Sequence, residues 1–184
     1  MPVALLISLI IIAATAAILL LWMGRLPFCQ CSFKFWHGGR GDAEMSQQLT
    51  DWYTYSHVLH GVVFYFLLWV IFRGRLSIAA RLVIAVAIEG AWEIFENSQF
   101  IIDRYRSQTV SRDYFGDTVI NSVSDMLAML VGYLITARLP PWVTVFLLIA
   151  TEAGLLLLIR DNLFLNVVML IYPVEWIRQW QLGG

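Results

Sequence analysis

Long apolar stretches alternate with short polar ones along the whole chain. Five of them, Val3–Met23, His57–Phe72, Ile78–Phe95, Val119–Ala137 and Trp142–Ile159, come close to the roughly 20 residues that an α-helix needs to cross a hydrocarbon core about 30 Å thick. A sixth, Leu163–Ile177, is marginal in length. Arg73-Gly74-Arg75 marks a hairpin turn between the second and third runs, and Pro140-Pro141 stops the fourth. The polar segment Asp103–Asp117 reads as a connector. The pattern predicts an all-α, multi-pass membrane bundle with residues 1–184 as one integral membrane domain, because the connections leave no room for a soluble one.

Composition agrees, since 60% of residues are hydrophobic and only 14% charged, whereas a soluble domain is usually about a quarter charged. The first run lacks a charged leader and exceeds the length of a secretory signal core, so it reads as a retained anchor. Twelve basic residues scattered among thirteen acidic ones exclude a nucleic-acid surface. Cys29 and Cys31 are separated by one residue, a spacing that strains a mutual disulfide, and read as two ordinary loop thiols. The acid-free, arginine-rich turn at 73–81 places that end of the bundle in the cytoplasm and the loops at the other end in the periplasm. The basic residues of those other loops, Arg25, Lys34, Arg40, Arg104, Arg106 and Arg112, count the opposite way.

The ionisable residues gather at one end. His57 and His60 open the second helix, Glu89, Glu93 and Glu96 close the third, and Asp117, Asn121 and Asp125 open the fourth. At 1.5 Å per residue, Glu89 lies about 10 Å deeper than Glu96, Asp125 about 12 Å deeper than Asp117, and Glu152 about 12 Å deeper than Arg160. The three glutamates of the third helix share an arc of about 60°, and Asp117, Asn121 and Asp125 one of about 80°. Charged groups at membrane depth face a bundle interior or a wet cavity, which predicts a polar pocket with Glu89, Asp125 and Glu152 as its deep layer.

Several ordered motifs carry a resemblance. Ser46-Gln47-Gln48-Leu49-Thr50-Asp51-Trp52-Tyr53, Ser56-His57-Val58-Leu59-His60-Gly61, Trp92-Glu93-Ile94-Phe95-Glu96-Asn97, Ile102-Asp103-Arg104-Tyr105-Arg106, Asp113-Tyr114-Phe115-Gly116-Asp117, Asn121-Ser122-Val123-Ser124-Asp125 and Arg160-Asp161-Asn162 together resemble a bacterial family of inner-membrane proteins of unknown function. The spaced order of histidine, glutamate, arginine, aspartate and asparagine and the later Gly132 is more distantly similar to VanZ-like membrane proteins, which are linked to glycopeptide resistance at the outer face of the membrane. That second likeness implies envelope lipids or lipid-linked precursors as partners.

Two classes of function follow. In the first, His57, His60, Glu89, Glu93 and Asp125 perform acid–base chemistry on a membrane-embedded substrate. Arg104, Arg106, Arg160 and Asn121 hold its polar group, a task suited to guanidinium geometry. His57, His60, Glu93 and Asp117 are the set that would ligate a divalent metal, although the i, i+3 histidines fit equally well as hydrogen-bonding props for the carboxylates. In the second class the chain is a non-enzymatic subunit of a membrane complex or a proton- or ion-linked component, with Ala150 and Gly154 spaced for close helix contact, within the bundle or with a protein partner.

Overall fold

The computed structural model describes residues 3–183, which form eight α-helices and no strand. These are α1 (Val3–Trp22), α2 (Thr54–Phe72), α3 (Ile78–Glu96), α4 (Gln99–Gln108), α5 (Val119–Thr136), α6 (Pro141–Ile159), α7 (Leu163–Ile171) and α8 (Glu175–Gln181). Four of them, α1, α2, α5 and α6, are long and apolar enough to cross a membrane. Helix α3 matches them with 19 residues but carries Arg81, Glu89, Glu93 and Glu96.

Helices α1, α2, α3 and α5 share one core, built on Leu9 and Ala16, Leu68, Leu82 and Ala85, and Met126, Met129 and Tyr133. The α2–α5 pair is the tightest, and two glycines explain why. A Cβ on Gly61 would lie 2.1 Å from the Met129 carbonyl oxygen, and one on Gly132 would lie 2.0 Å from that of Val58. Lipid supplies no hydrophobic drive for helices to associate, so backbone approach of this kind is what holds them. By contrast α1 buries only Leu9, Ala16 and Leu20 on one stripe and leaves Ile7, Ile10, Ile11 and Ile18 outward, as lipid-facing residues should be.

Helix ends follow local chemistry. Arg73 and Gly74 adopt positive φ and reverse the chain after α2, and Ser77 Oγ then caps α3 by accepting from Ala80 N. Thr118, Ser98 and Asn162 cap α5, α4 and α7 in the same manner.

Three expectations need correction. The marginal run Leu163–Ile177 is not a span: Tyr172-Pro173-Val174 divides it into α7 and α8, and the nine residues of α7 reach only about 14 Å. The polar connector contains a ten-residue helix, α4, with Ile101, Ile102 and Tyr105 buried on one side. Cys29 and Cys31 are joined as a disulfide, their Cα atoms lying 5.1 Å apart and so within the ordinary range for such a bond.

The long first loop folds as a cap on the polar end. Arg25 donates to Phe115 O, Gln47 Nε2 to Gly116 O, Thr118 N to Ser46 O and Val119 N to Leu26 O, stitching it to the segment that precedes α5. Beneath it Met45, Ile101, Ile102, Tyr105, Tyr114 and Leu170 form a second, smaller core. Trp36, Trp52 and Tyr55 cluster outside it, with ring centroids 5.1 to 6.5 Å apart.

Candidate functional site

Below that cap lies a cavity of about 290 Å³. Its polar wall includes His57 and His60 of α2, Glu96 of α3, Asp125 of α5, Asp117 and the hydroxyl-bearing rings of Tyr53, Tyr105 and Tyr114. Its apolar wall is Phe64, Ile88, Trp92, Leu163 and Val167.

Helical spacing sets the arrangement. His57 and His60 stand one turn apart on α2 and face Glu89 of α3. His57 Nδ1 lies 2.6 Å from Glu89 Oε1, and His60 Nδ1 lies 3.1 Å from both oxygens of the same carboxylate. On the other side of the ring, His57 Nε2 is 3.8 Å from Asp125 Oδ2, which is within reach of charge attraction but not of a hydrogen bond. One turn beyond Glu89, Glu93 is fully buried with its Oε1 3.3 Å from His57 Nδ1. That nitrogen has one in-plane direction to offer, and Glu89 occupies it. Neither oxygen of Glu93, nor Asp125 Oδ1, has a hydrogen-bond partner among the described residues. A buried carboxylate in that condition is costly and calls for a ligand, a proton or an ion.

Nearer the cap the carboxylates are satisfied. Asp117 accepts from Tyr114 Oη at 2.9 Å and from Asn97 Nδ2 at 2.7 Å, and its own N–H donates to Asn97 Oδ1. Burial pushes the Asp117 carboxyl above its usual range, opposed by those Asn97 and Tyr114 hydrogen bonds. Tyr105 Oη lies 2.8 Å from Glu96 Oε1 and 3.0 Å from the Asn166 side chain. Burial also drives the Tyr105 and Tyr114 hydroxyls upward, with Glu96 and Asp117 respectively adding to it, so both stay protonated as donors.

Of the residues anticipated for acid–base work, the fold brings His57, His60, Glu89, Glu93 and Asp125 together around His57. The metal candidates regroup. Donor atoms of His57, His60 and Glu89, and those of His57, Glu93 and Glu96, lie within 4.8 Å of one another and could hold a metal ion, whereas Asp117 is in neither group.

The residues expected to hold an anion are not brought to the cavity, and no arginine among the described residues lines it. Arg104 donates to the carbonyl oxygens of Leu170 and Ile171 at the end of α7, Arg160 donates to Trp180 O and lies over the Trp180 ring, and Arg106 is exposed. Helix C-terminal carbonyls carry partial negative charge and compete for guanidinium as a phosphate would. Asn121 donates to Gln48 O and holds the cap to α5. Glu152 leaves the expected deep layer: its carboxylate accepts from Leu163 N and Phe164 N, closing the first turn of α7. A methyl group on Gly154 would meet nothing within 4 Å, so the Ala150–Gly154 face makes no close contact within the described chain.

Sequence reasoning passed over Tyr53, Tyr105 and Tyr114. Two of the three lie in the Asp-Arg-Tyr-Arg and Asp-Tyr-Phe-Gly-Asp strings, and their proximity to acidic neighbours was the available signal. Asn166, on a helix that hydropathy reads as lipid-facing, offered none.

Relatives place the chain. Residues 20–183 match the family described as "Protein of unknown function (DUF2585)". A UPF0314 protein of Paracoccus denitrificans is 54% identical over 172 residues, 93% of this chain and 89% of the relative. UPF0314 proteins of Brucella anthropi and Sphingopyxis alaskensis are 47% and 49% identical, covering 95% and 94% of this chain and 90% and 92% of their own lengths. No solved structure matches. The cluster at His57 and the cap above it thus lie within the region shared with these relatives, and the chain belongs to the DUF2585/UPF0314 family of uncharacterised bacterial proteins.

Proposed function

We propose that the cavity receives the polar end of a membrane lipid or lipid-linked molecule and that His57, set among Glu89, Glu93 and Asp125, exchanges a proton with it at the periplasmic face of the inner membrane. The observation that carries this reading is the two-sided lining. Imidazoles, carboxyls and phenols occupy one wall, while Phe64, Ile88, Trp92, Leu163 and Val167 supply an apolar wall suited to the start of an acyl or isoprenoid chain. Glu89 fixes the orientation of both imidazoles, leaving the carboxylates without partners to take or give the proton. The Cys29–Cys31 disulfide lies in the loop over this end of the bundle and supports a periplasmic setting, since disulfides persist in oxidising compartments. The looser likeness to VanZ-like proteins points to the same face.

The test is photo-crosslinking in vesicles of phosphatidylethanolamine and phosphatidylglycerol doped with a diazirine-bearing phospholipid. Label is expected on α7 and on the α3 segment around Trp92, with most of it lost in Val167→Trp, which fills the cavity, and retained in Leu157→Trp, on the exposed outer face of α6. Equal labelling of both variants would sink the reading. A purely structural network is the second reading, favoured by the complete satisfaction of Glu89. It requires His57→Ala and Glu93→Gln to fail to accumulate in the membrane, whereas a working site lets both fold and removes only function.

A further inference from the structure

We propose that His57, His60 and Glu89 bind a divalent transition-metal ion, with Glu93 as the adjacent carboxylate that balances its charge. This stands on the His/Glu geometry alone, so lipid labelling and metal binding can fail independently.

Donor type is the first support. Two neutral imidazoles and one carboxylate suit zinc, iron, nickel or manganese better than magnesium or calcium, which take oxygen donors. A His₂Glu set is also one that leaves a coordination position open. Here the three donor atoms come from adjacent turns of α2 and the facing turn of α3 and lie within 4.8 Å of one another. Donors on a tetrahedral ion with bonds of about 2.0–2.1 Å stand roughly 3.3 Å apart. The His60–Glu89 separation of 3.1 Å is near that value. The His57–Glu89 separation of 2.6 Å is a hydrogen-bond length and opens by about 0.7 Å on loading. Both histidines line the cavity, and Glu89 is fully buried.

Charge is the second and independent support. Glu93 is fully buried, neither of its oxygens has a hydrogen-bond partner among the described residues, and its Oε1 is 3.3 Å from the His57 nitrogen assigned to the ion. Asp125 Oδ1 is in the same condition. Among the described residues the one charge partner within ion-pair distance of either carboxylate is His57, with no lysine or arginine there. Two histidines that donate only to Glu89 explain Glu89 but leave Glu93 unaccounted for. A cation shared by the His57 edge accounts for both.

The experiment is titration of the full-length, chelator-stripped protein in detergent micelles with Zn²⁺ against a chromophoric chelator, and with Co²⁺ followed by its visible absorption. One equivalent is expected to bind. His60→Ala and Glu89→Gln should each weaken it by about 100-fold or more, and Glu93→Gln by about 10-fold, the range seen when neighbours of metal ligands are removed. His37→Ala, in the first loop beside Asp42, should bind as the wild type does. Wild-type protein that takes up no stoichiometric metal overturns the proposal without any variant having to fold. So does uptake that survives both His60→Ala and Glu89→Gln.

Discussion

Replacing Gly132 with alanine tests the frame that holds the polar cluster. The added Cβ would lie 2.0 Å from Val58 O and 3.1 Å from Val58 Cα, whereas real Cβ contacts essentially never fall below 3.0 Å. Helix α2 must therefore withdraw from α5 by about 1 Å along that line, because the obstacle is backbone and has no rotamer with which to yield. Overpacking of this kind costs about 1–3 kcal/mol, and a backbone clash belongs at the upper end. Gly61, one turn along α2, meets Met129 and Tyr133 of α5 across the same seam. Once either alanine has parted the helices, the second methyl should cost less, so Gly61→Ala with Gly132→Ala should fall short of the sum of the single changes. Gly154→Ala is the control: with nothing within 4 Å, it should be neutral or gain up to about 1 kcal/mol from improved helix propensity. The assay is equilibrium unfolding in mixed micelles, read by tryptophan fluorescence, for the four variants. If Gly132→Ala is as stable as Gly154→Ala, the close α2–α5 seam is refuted, and with it the placement of His57 against Asp125.

Two further outcomes follow from the surrounding structure. Arg104→Lys, which cannot span the carbonyls of Leu170 and Ile171 with a fork, should lose about 1–2 kcal/mol locally; faster amide exchange within Leu163–Ile171 but not in α5 would register it, and unchanged exchange there would count against the staple. Burial raises the Asp161 carboxyl from 3.8 to about 6 despite hydrogen bonds from Tyr53, Asn162 and Gln181. Since the folded chain keeps this proton more tightly than the unfolded one, the stability it contributes is complete below about pH 4 and is lost as pH rises through about 6, a swing of about 3 kcal/mol. Thermal unfolding of wild type and Asp161→Asn across pH 4–7 should therefore show curves that diverge over that window, and parallel curves would refute the assignment.

How much of this was legible in the sequence differs from element to element. The apolar runs located α1, α3, α5 and α6 to within about two residues, because lipid imposes a length and a composition that a linear scan can see. Helix α2 starts three residues earlier than its run, at Thr54, since Thr54 and Ser56 are helical without being hydrophobic. Helix α4 escaped because its signal is a half-buried amphipathic face of Ile101, Ile102 and Tyr105 behind a serine cap, which a hydropathy scan reads as a polar linker. Counting residues gave depth and grouped Glu89 with Asp125, both of which lie beside His57 in the fold. It could not give azimuth around the bundle, so Glu152 was grouped with them although α6 turns it toward the amides of α7. The arginines misled for a related reason: side-chain charges are visible in a sequence, whereas the carbonyl ends of α7 that attract Arg104 exist only once the helix does.

The glycine seam and the carboxylate cluster are two halves of one mechanical problem. Glu89 alone would suffice to anchor His57 and His60, yet α3 and α5 also bury Glu93 and Asp125 with oxygens that nothing in the described chain satisfies. Each uncompensated charge removed from water costs several kcal/mol, and like charges on α3 and α5 push the two helices apart across His57. A loosely packed bundle would relieve that pressure by splaying open and letting water in. The backbone contact at Gly61 and Gly132 denies α2 that freedom against α5, while at Gly90, one residue after Glu89, even a Cβ would lie 3.1 Å from Met126 of α5 and 3.5 to 3.7 Å from Ile12 and Ala16 of α1, so α3 has little room on either side. The cap of the first loop closes the remaining route through Gln48 and Asn121. Polar groups confined in this manner cannot discharge their mutual repulsion by moving, and the ways left to them are to take up a proton or to take up a cation.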